Sequence, residues 1–176
     1  MLGRSWHPGC PLGASSLRAV AVTYWGFDHA AHAGTLVVNT AVVRAVVVVM
    51  KNAYRARFPI RHITPIAAYG GDDNASMAAD NTSGFNCRAA VASGPRHWSM
   101  HAYGEAIDVN PVENPYELNG RVRPPDGKPY TNRHDKRPGM AVPDSSLVRA
   151  FDQVGWGWGG RWSSSPDYQH FSSNGR

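Results

Sequence analysis

The sequence predicts an α+β fold in one small domain spanning residues 1–176. Three observations carry that expectation. One segment near 40–57 has helical periodicity, several short apolar runs of strand length follow it, and 18 Gly with 13 Pro in 176 residues imply short elements joined by ordered turns. Hydrophobic residues reach 42%, enough for a core, while charged residues are only 18%.

Residues 1–35 read as irregular, punctuated by Pro8, Gly9, Pro11, Gly26 and Gly34, with a short strand at 19–24. Either Asn39 or Thr40 can cap a helix that runs to about Arg57. Its valines favour a strand, but Arg44, Val48, Lys51 and Arg55 fall on one face at helical spacing, so a mostly buried helix with a basic stripe is expected. Phe58-Pro59 ends it. Residues 60–69 read as a strand closed by Gly70-Gly71, and 72–81 can hold one helical turn. A strand or strand end is expected at 83–88. In 104–109 the alternation fits a buried strand, with Ala106 and Asp108 on one face and Ile107 on the other. Residues 111–143 carry seven prolines and read as a long loop, part of it a lid. Asp144 is expected to cap a helix over 145–154, stopped by Gly155, and 169–172 is a last short strand.

The net charge of +5 favours polyanions in general. No run of five basic residues occurs, so nucleic acid is not an expected partner. The apolar run 36–50 is interrupted by Arg44 and is too short to span a bilayer. The first eight residues lack the apolar core of a signal peptide, which leaves a mature fragment or lysis-type delivery as routes out of a cell. Cys10 and Cys87 lie in no CxxC pair; they can form one disulfide or remain buried thiols.

The chemistry concentrates in two stretches. Ser99-Met-His101-Ala-Tyr-Gly104-Glu-Ala106-Ile-Asp108 and Asp167-Tyr168-Gln169-His170 supply two imidazoles and one carboxylate, a donor set suited to a catalytic Zn²⁺ with one open position. His101 belongs in a loop and Asp108 in the strand after it. Asp167, three residues before His170, is left as general base, and Arg88 is the candidate cation for an oxyanion. Each short pattern recurs by chance, and Arg88 equally suits a structural ion pair. His7, His29, His32, His62, His97 and His134 read as ordinary loop or core residues, with His97 nearest the site. Trp156, Trp158 and Trp162 read more readily as core than as a substrate platform.

The combined pattern Ser99-x-His101-x-x-Gly104-x-Ala106-x-Asp108, then Asp167-x-x-His170, resembles peptidase family M15. That family holds zinc D-alanyl-D-alanine carboxypeptidases and L-alanyl-D-glutamate endopeptidases, including VanY-like and phage endolysin members. Gly155-Trp-Gly-Trp-Gly-Gly-Arg-Trp162 resembles its tryptophan-glycine approach to the site, and the likeness covers most of 58–172. The resemblance implies zinc held by His101, Asp108 and His170, with Asp167 as base where many members carry Glu, and Arg88 assisting. It implies a hedgehog/DD-peptidase-like fold, whose central antiparallel sheet carries the zinc ligands between flanking helices. It favours the Cys10–Cys87 bridge.

The expected function is therefore zinc-dependent hydrolysis of peptidoglycan stem peptides by a monomer, outside the cell or at the cell wall. Co²⁺ or Mn²⁺ can occupy such donors as well. The rival expectation is a non-catalytic zinc-bearing module that binds cell wall or a protein.

Overall fold

The computed structural model describes residues 2–91 and 95–175. Residue 1, within the segment read as irregular, and residues 92–94, within the stretch resembling family M15, lie outside the described residues.

The architecture is α+β, with small sheets in place of one large one. Strands β1 (Leu17–Trp25) and β2 (Ala31–Asn39) form an antiparallel hairpin that replaces most of the expected irregular start. Along β1, Leu17, Val20, Val22 and Tyr24 are buried, the half-buried pattern of a strand with one solvated face. Asn39 accepts a hydrogen bond from the Ala41 N–H and opens a 3₁₀ turn that leads into α1 (Val43–Arg55). The helix buries Val46, Val49, Met50 and Ala53, and the expected stripe of Arg44, Val48, Lys51 and Arg55 is exposed.

Beyond α1 the expected strand at 60–69 shrinks to β3 (His62–Ile63), and Ile66–Tyr69 is a 3₁₀ helix. Pro65, directly before that helix, has no N–H for a ladder, and Gly70 at φ +68° closes the turn. Helix α2 (Asp73–Ala78) is capped by Asp72, and β4 (Asn81–Thr82) pairs parallel to β3. Ser83 makes only a single bridge to Asp108, and 84–88 is not a strand. Instead Cys87 leaves to bond Cys10 (S–S 2.07 Å) in a small cluster with Leu17, Val37 and Phe85.

The centre of the fold is a three-stranded antiparallel sheet. Strand β9 (His170–Ser172) lies between β5 (Ala106–Asp108) and β8 (Gly157–Trp158). Ile107 pairs with Phe171 and Asp108 with His170. Because side chains alternate, Ile107, Phe171 and Trp158 enter the core while Asp108 and His170 point to the opposite face. Helix α3 (Ser146–Asp152) packs on the core face, where Phe151 stacks on Phe171 with ring centroids 4.0 Å apart. Its cap is Ser145, which accepts from the Val148 N–H; Asp144 has φ +62° and does not serve.

The proline-rich segment 111–143 is not one long loop. It holds the hairpin β6 (Tyr116–Leu118) and β7 (Arg121–Arg123) and a 3₁₀ helix at Pro125–Tyr130. Arg133 fastens it, donating to the carbonyls of Glu113, Tyr130 and Ala141 and to Asn114 Oδ1. Its burial lowers the guanidinium to about 10.

Glu113 is fully buried beside Asp80, and its Oε1 accepts from Arg61 Nη2 at 3.1 Å. Burial first, then the hydrogen bond and charge of Asp80, push its carboxyl from 4.5 up to about 8, with Arg61 opposing. The folded chain thus keeps a proton that the unfolded chain releases near its ordinary value. The contribution is complete at acidic pH and is lost as pH rises through about 8. Stability by denaturant titration should fall over that window, and Glu113→Gln should flatten the fall. An unchanged slope in the variant would remove Glu113 as its source.

The disulfide spans 77 positions. In the chain-entropy description it stabilises the fold by about 4 kcal/mol. A Cys10→Ser/Cys87→Ser variant should unfold at correspondingly lower denaturant; equal midpoints would assign the bridge no stabilising role.

Candidate metal centre

Local sequence explains how His101 is presented. Ser99 accepts from the His101 N–H and caps the 3₁₀ helix Met100–Tyr103. Gly104 ends it at φ +66°, and a Cβ there would sit 2.6 Å from the Asn39 backbone N. That close approach lets Asn39 N–H donate to Gly104 O while the Asn39 side chain donates to Tyr103 O and Glu105 Oε1. The end of β2 thereby braces the loop. His101 sits on this turn, outside the sheet, in the loop position expected for it, and of the three expected donors only Asp108 and His170 are carried by the sheet.

His101 Nε2 lies 3.1 Å from Asp108 Oδ2, His170 Nδ1 lies 3.2 Å from Asp108 Oδ1, and the two ring nitrogens are 3.3 Å apart. All three residues are buried. Each imidazole meets a different oxygen of Asp108, and one donor atom from each of the three residues lies within 4.8 Å of the others, close enough for the three to converge on one ion. His101 Nδ1 lies 2.7 Å from Gly84 O. A carbonyl only accepts, so Nδ1 carries a proton and Nε2 is the nitrogen turned toward the other donors. Burial alone would raise the carboxyl of Asp108, but the two imidazoles hold it well below the usual carboxylate range. The three residues could thus hold a metal ion. His7, Cys10 and Cys87 also lie together, but both sulfurs are spent in the disulfide.

Asp167 lines the same cavity of about 770 Å³ as the triad. The residue is half-buried, yet its Oδ1 is shut off from solvent without a hydrogen-bond partner among the described residues. Burial, then the charge of Asp108, push its carboxyl up to about 7, with His170, Arg88 and Gln169 pulling it back. Arg88 also lines the cavity, but from an irregular segment, not the expected strand end, and its Nε lies 3.0 Å from Asp73 Oδ2. It is therefore both an ion-pair partner and a cation facing the site.

The tryptophans divide. Trp156 and Trp158 are core, whereas Trp162 lines the cavity with its ring centroid 5.5 Å from that of His170. His97 lines the cavity too. Sequence reasoning missed Gly84, Tyr116 and Arg123. Gly84 contributes through its backbone carbonyl, and the other two arrive through strand pairing; no motif marks them.

No curated protein and no solved structure matches the chain. Residues 92–173, just under half of the chain, match a protein-family model described as D-alanyl-D-alanine carboxypeptidase. That stretch contains His101, Asp108, Asp167 and His170, and the match supports assigning the chain to peptidase family M15.

Proposed function

We propose that the protein is a zinc-dependent peptidase acting on peptidoglycan stem peptides, trimming terminal D-alanine or cutting between L-alanine and D-glutamate. The observation that carries this reading is the cluster of His101, Asp108 and His170 donors, with one atom from each within 4.8 Å of the others, beside the Asp167 carboxylate in one open cavity. A zinc ion held there supplies polarisation of the peptide carbonyl and a lowered pKa for water. Asp167 takes the proton of the attacking water and hands it to the leaving amine. Arg88 faces the oxygen that gains charge, and its pairing with Asp73 keeps the guanidinium in place. Trp162 shields one side of His170 from water. A purely structural metal would have no use for an orphaned carboxylate and a cavity at its side, which favours hydrolysis over the non-catalytic module.

The same reading places the protein outside the cytoplasm, secreted or released by lysis, as a monomer in a single hedgehog/DD-peptidase-like domain. No described helix is long and apolar enough to cross a membrane. Incubating the zinc-loaded protein with a pentapeptide stem and weighing the products tests the proposal. Loss of one alanine identifies a carboxypeptidase, and a cut after L-alanine identifies an endopeptidase. An intact stem, with and without zinc, refutes both.

A further inference from the structure

We propose that Arg123 binds a carboxylate carried by the substrate residue on the leaving side of the scissile bond, and so selects acidic over amidated substrates. The inference rests on the peptidase reading above and adds the residue that sets its preference.

Strand pairing places Arg123. In the β6–β7 hairpin Tyr116 is directly opposite Arg123, and on its other side Tyr116 bridges Asp167. The bridge is closed by Glu117 N–H to Pro166 O (2.9 Å) and Tyr168 N–H to Pro115 O (3.3 Å). Directly opposed residues in antiparallel strands project to the same face. Arg123, Tyr116 and Asp167 therefore form one row, and all three line the cavity. With strands spaced about 4.8 Å apart, the backbone at Arg123 stands roughly 10 Å from that at Asp167. The reaction holds the scissile carbonyl beside Asp167, and an extended chain advances about 3.5 Å per residue. The reach of an arginine side chain covers what remains, so a carboxylate on the first leaving-side residue meets the guanidinium.

Charge leads to the same residue. A carboxylate entering this cavity faces Asp73, Asp108 and Asp167. Arg88 is engaged by Asp73 at 3.0 Å, and the Tyr116 hydroxyl donates to Val91 O at 2.9 Å. Arg123 is half-buried, and among the described residues it makes no side-chain hydrogen bond or ion pair. An uncommitted guanidinium on the wall of a cavity that also carries three carboxylates matches the planar, two-oxygen geometry of a carboxylate. Two stem positions supply one: the terminal carboxylate of D-alanine, or the α-carboxylate of D-glutamate when the chain continues through its γ-carboxyl.

The experiment uses two substrate pairs with the zinc-loaded full chain. One is an acyl-D-alanyl-D-alanine and its C-terminal amide. The other is an acyl-L-alanyl-γ-D-glutamyl peptide and its α-amide. Wild type should prefer the acid by about 10- to 100-fold in kcat/KM in one pair, the value of a charge-assisted hydrogen bond. The pair that shows the preference identifies the carboxylate. In Arg123→Gln the acid-to-amide ratio should collapse toward one through KM, and Arg123→Lys should restore part of it. A ratio that survives Arg123→Gln, or no ratio in wild type while peptides are cut, overturns the proposal. If no peptide is cut, the peptidase reading itself falls. Arg123 is then judged by calorimetric binding of the same four compounds: an acid preference lost in Arg123→Gln supports the role, and an absent or unmoved preference refutes it.

Discussion

Asp167→Asn should leave the metal content unchanged and lower kcat by about 10²- to 10⁴-fold, the span that a positioned proton-transfer group contributes. The substitution keeps the size and shape of the side chain. It removes the negative charge and the capacity to accept a proton at an oxygen that is buried and has no hydrogen-bond partner among the described residues. The carboxyl is not one of the three clustered donors, so the ion has no reason to leave. Zinc stoichiometry measured together with steady-state kinetics separates the outcomes. Loss of metal in step with loss of activity would make Asp167 a ligand. An unaltered kcat would remove it from the reaction.

His101→Ala should have a larger effect. It takes away one of three donors, and with it an imidazole whose orientation is set by a backbone carbonyl, Gly84 O at 2.7 Å. The remaining pair, Asp108 and His170, is too few to hold a catalytic zinc tightly. A metal ion's charge stabilisation is worth several kcal/mol, so kcat/KM should fall by about 10³-fold or more. The thermal stabilisation that added zinc confers on the native chain should vanish as well. Full-stoichiometry binding at unchanged affinity in this variant would break the proposed ligand set.

The site was more legible in the sequence than the framework around it. His101, Asp108, Asp167 and His170 stand in short patterns whose residue types restrict the chemistry, and the structure brings all four into one cavity. The hairpin partner β2 was invisible for a physical reason. Residues 31–35 are small or polar, and Gly34 is there because a Cβ would meet Ile63 at 2.5 Å, a tertiary constraint with no local signal. The valines on either side of Asn39 run almost without a break from strand into helix, so only the polar Asn39-Thr40 pair marked the boundary. The strand expected at 60–69 stops after Ile63 because Pro65 has no N–H for a ladder, and Ile66 is buried from the 3₁₀ turn that follows. Asp144 lost its capping role to Ser145 because its backbone is left-handed. Arg123 and Tyr116 matter through a bridge to Asp167, more than 40 positions away, and such pairings leave no periodic trace.

The alternation in β9 has a consequence for how the enzyme can vary. Phe171 grips the interior and His170 faces the cavity, so one strand serves both sides of the sheet. Inserting or deleting a single residue in the turn before it, if β9 slid by one position to accommodate the change, would drive an aromatic ring toward the donor cluster and an imidazole into oil. A one-residue slide of β9 is thus ruinous to both faces at once, while the β6–β7 ribbon can lengthen at its Asn119-Gly120 tip without shifting the Tyr116–Arg123 pair.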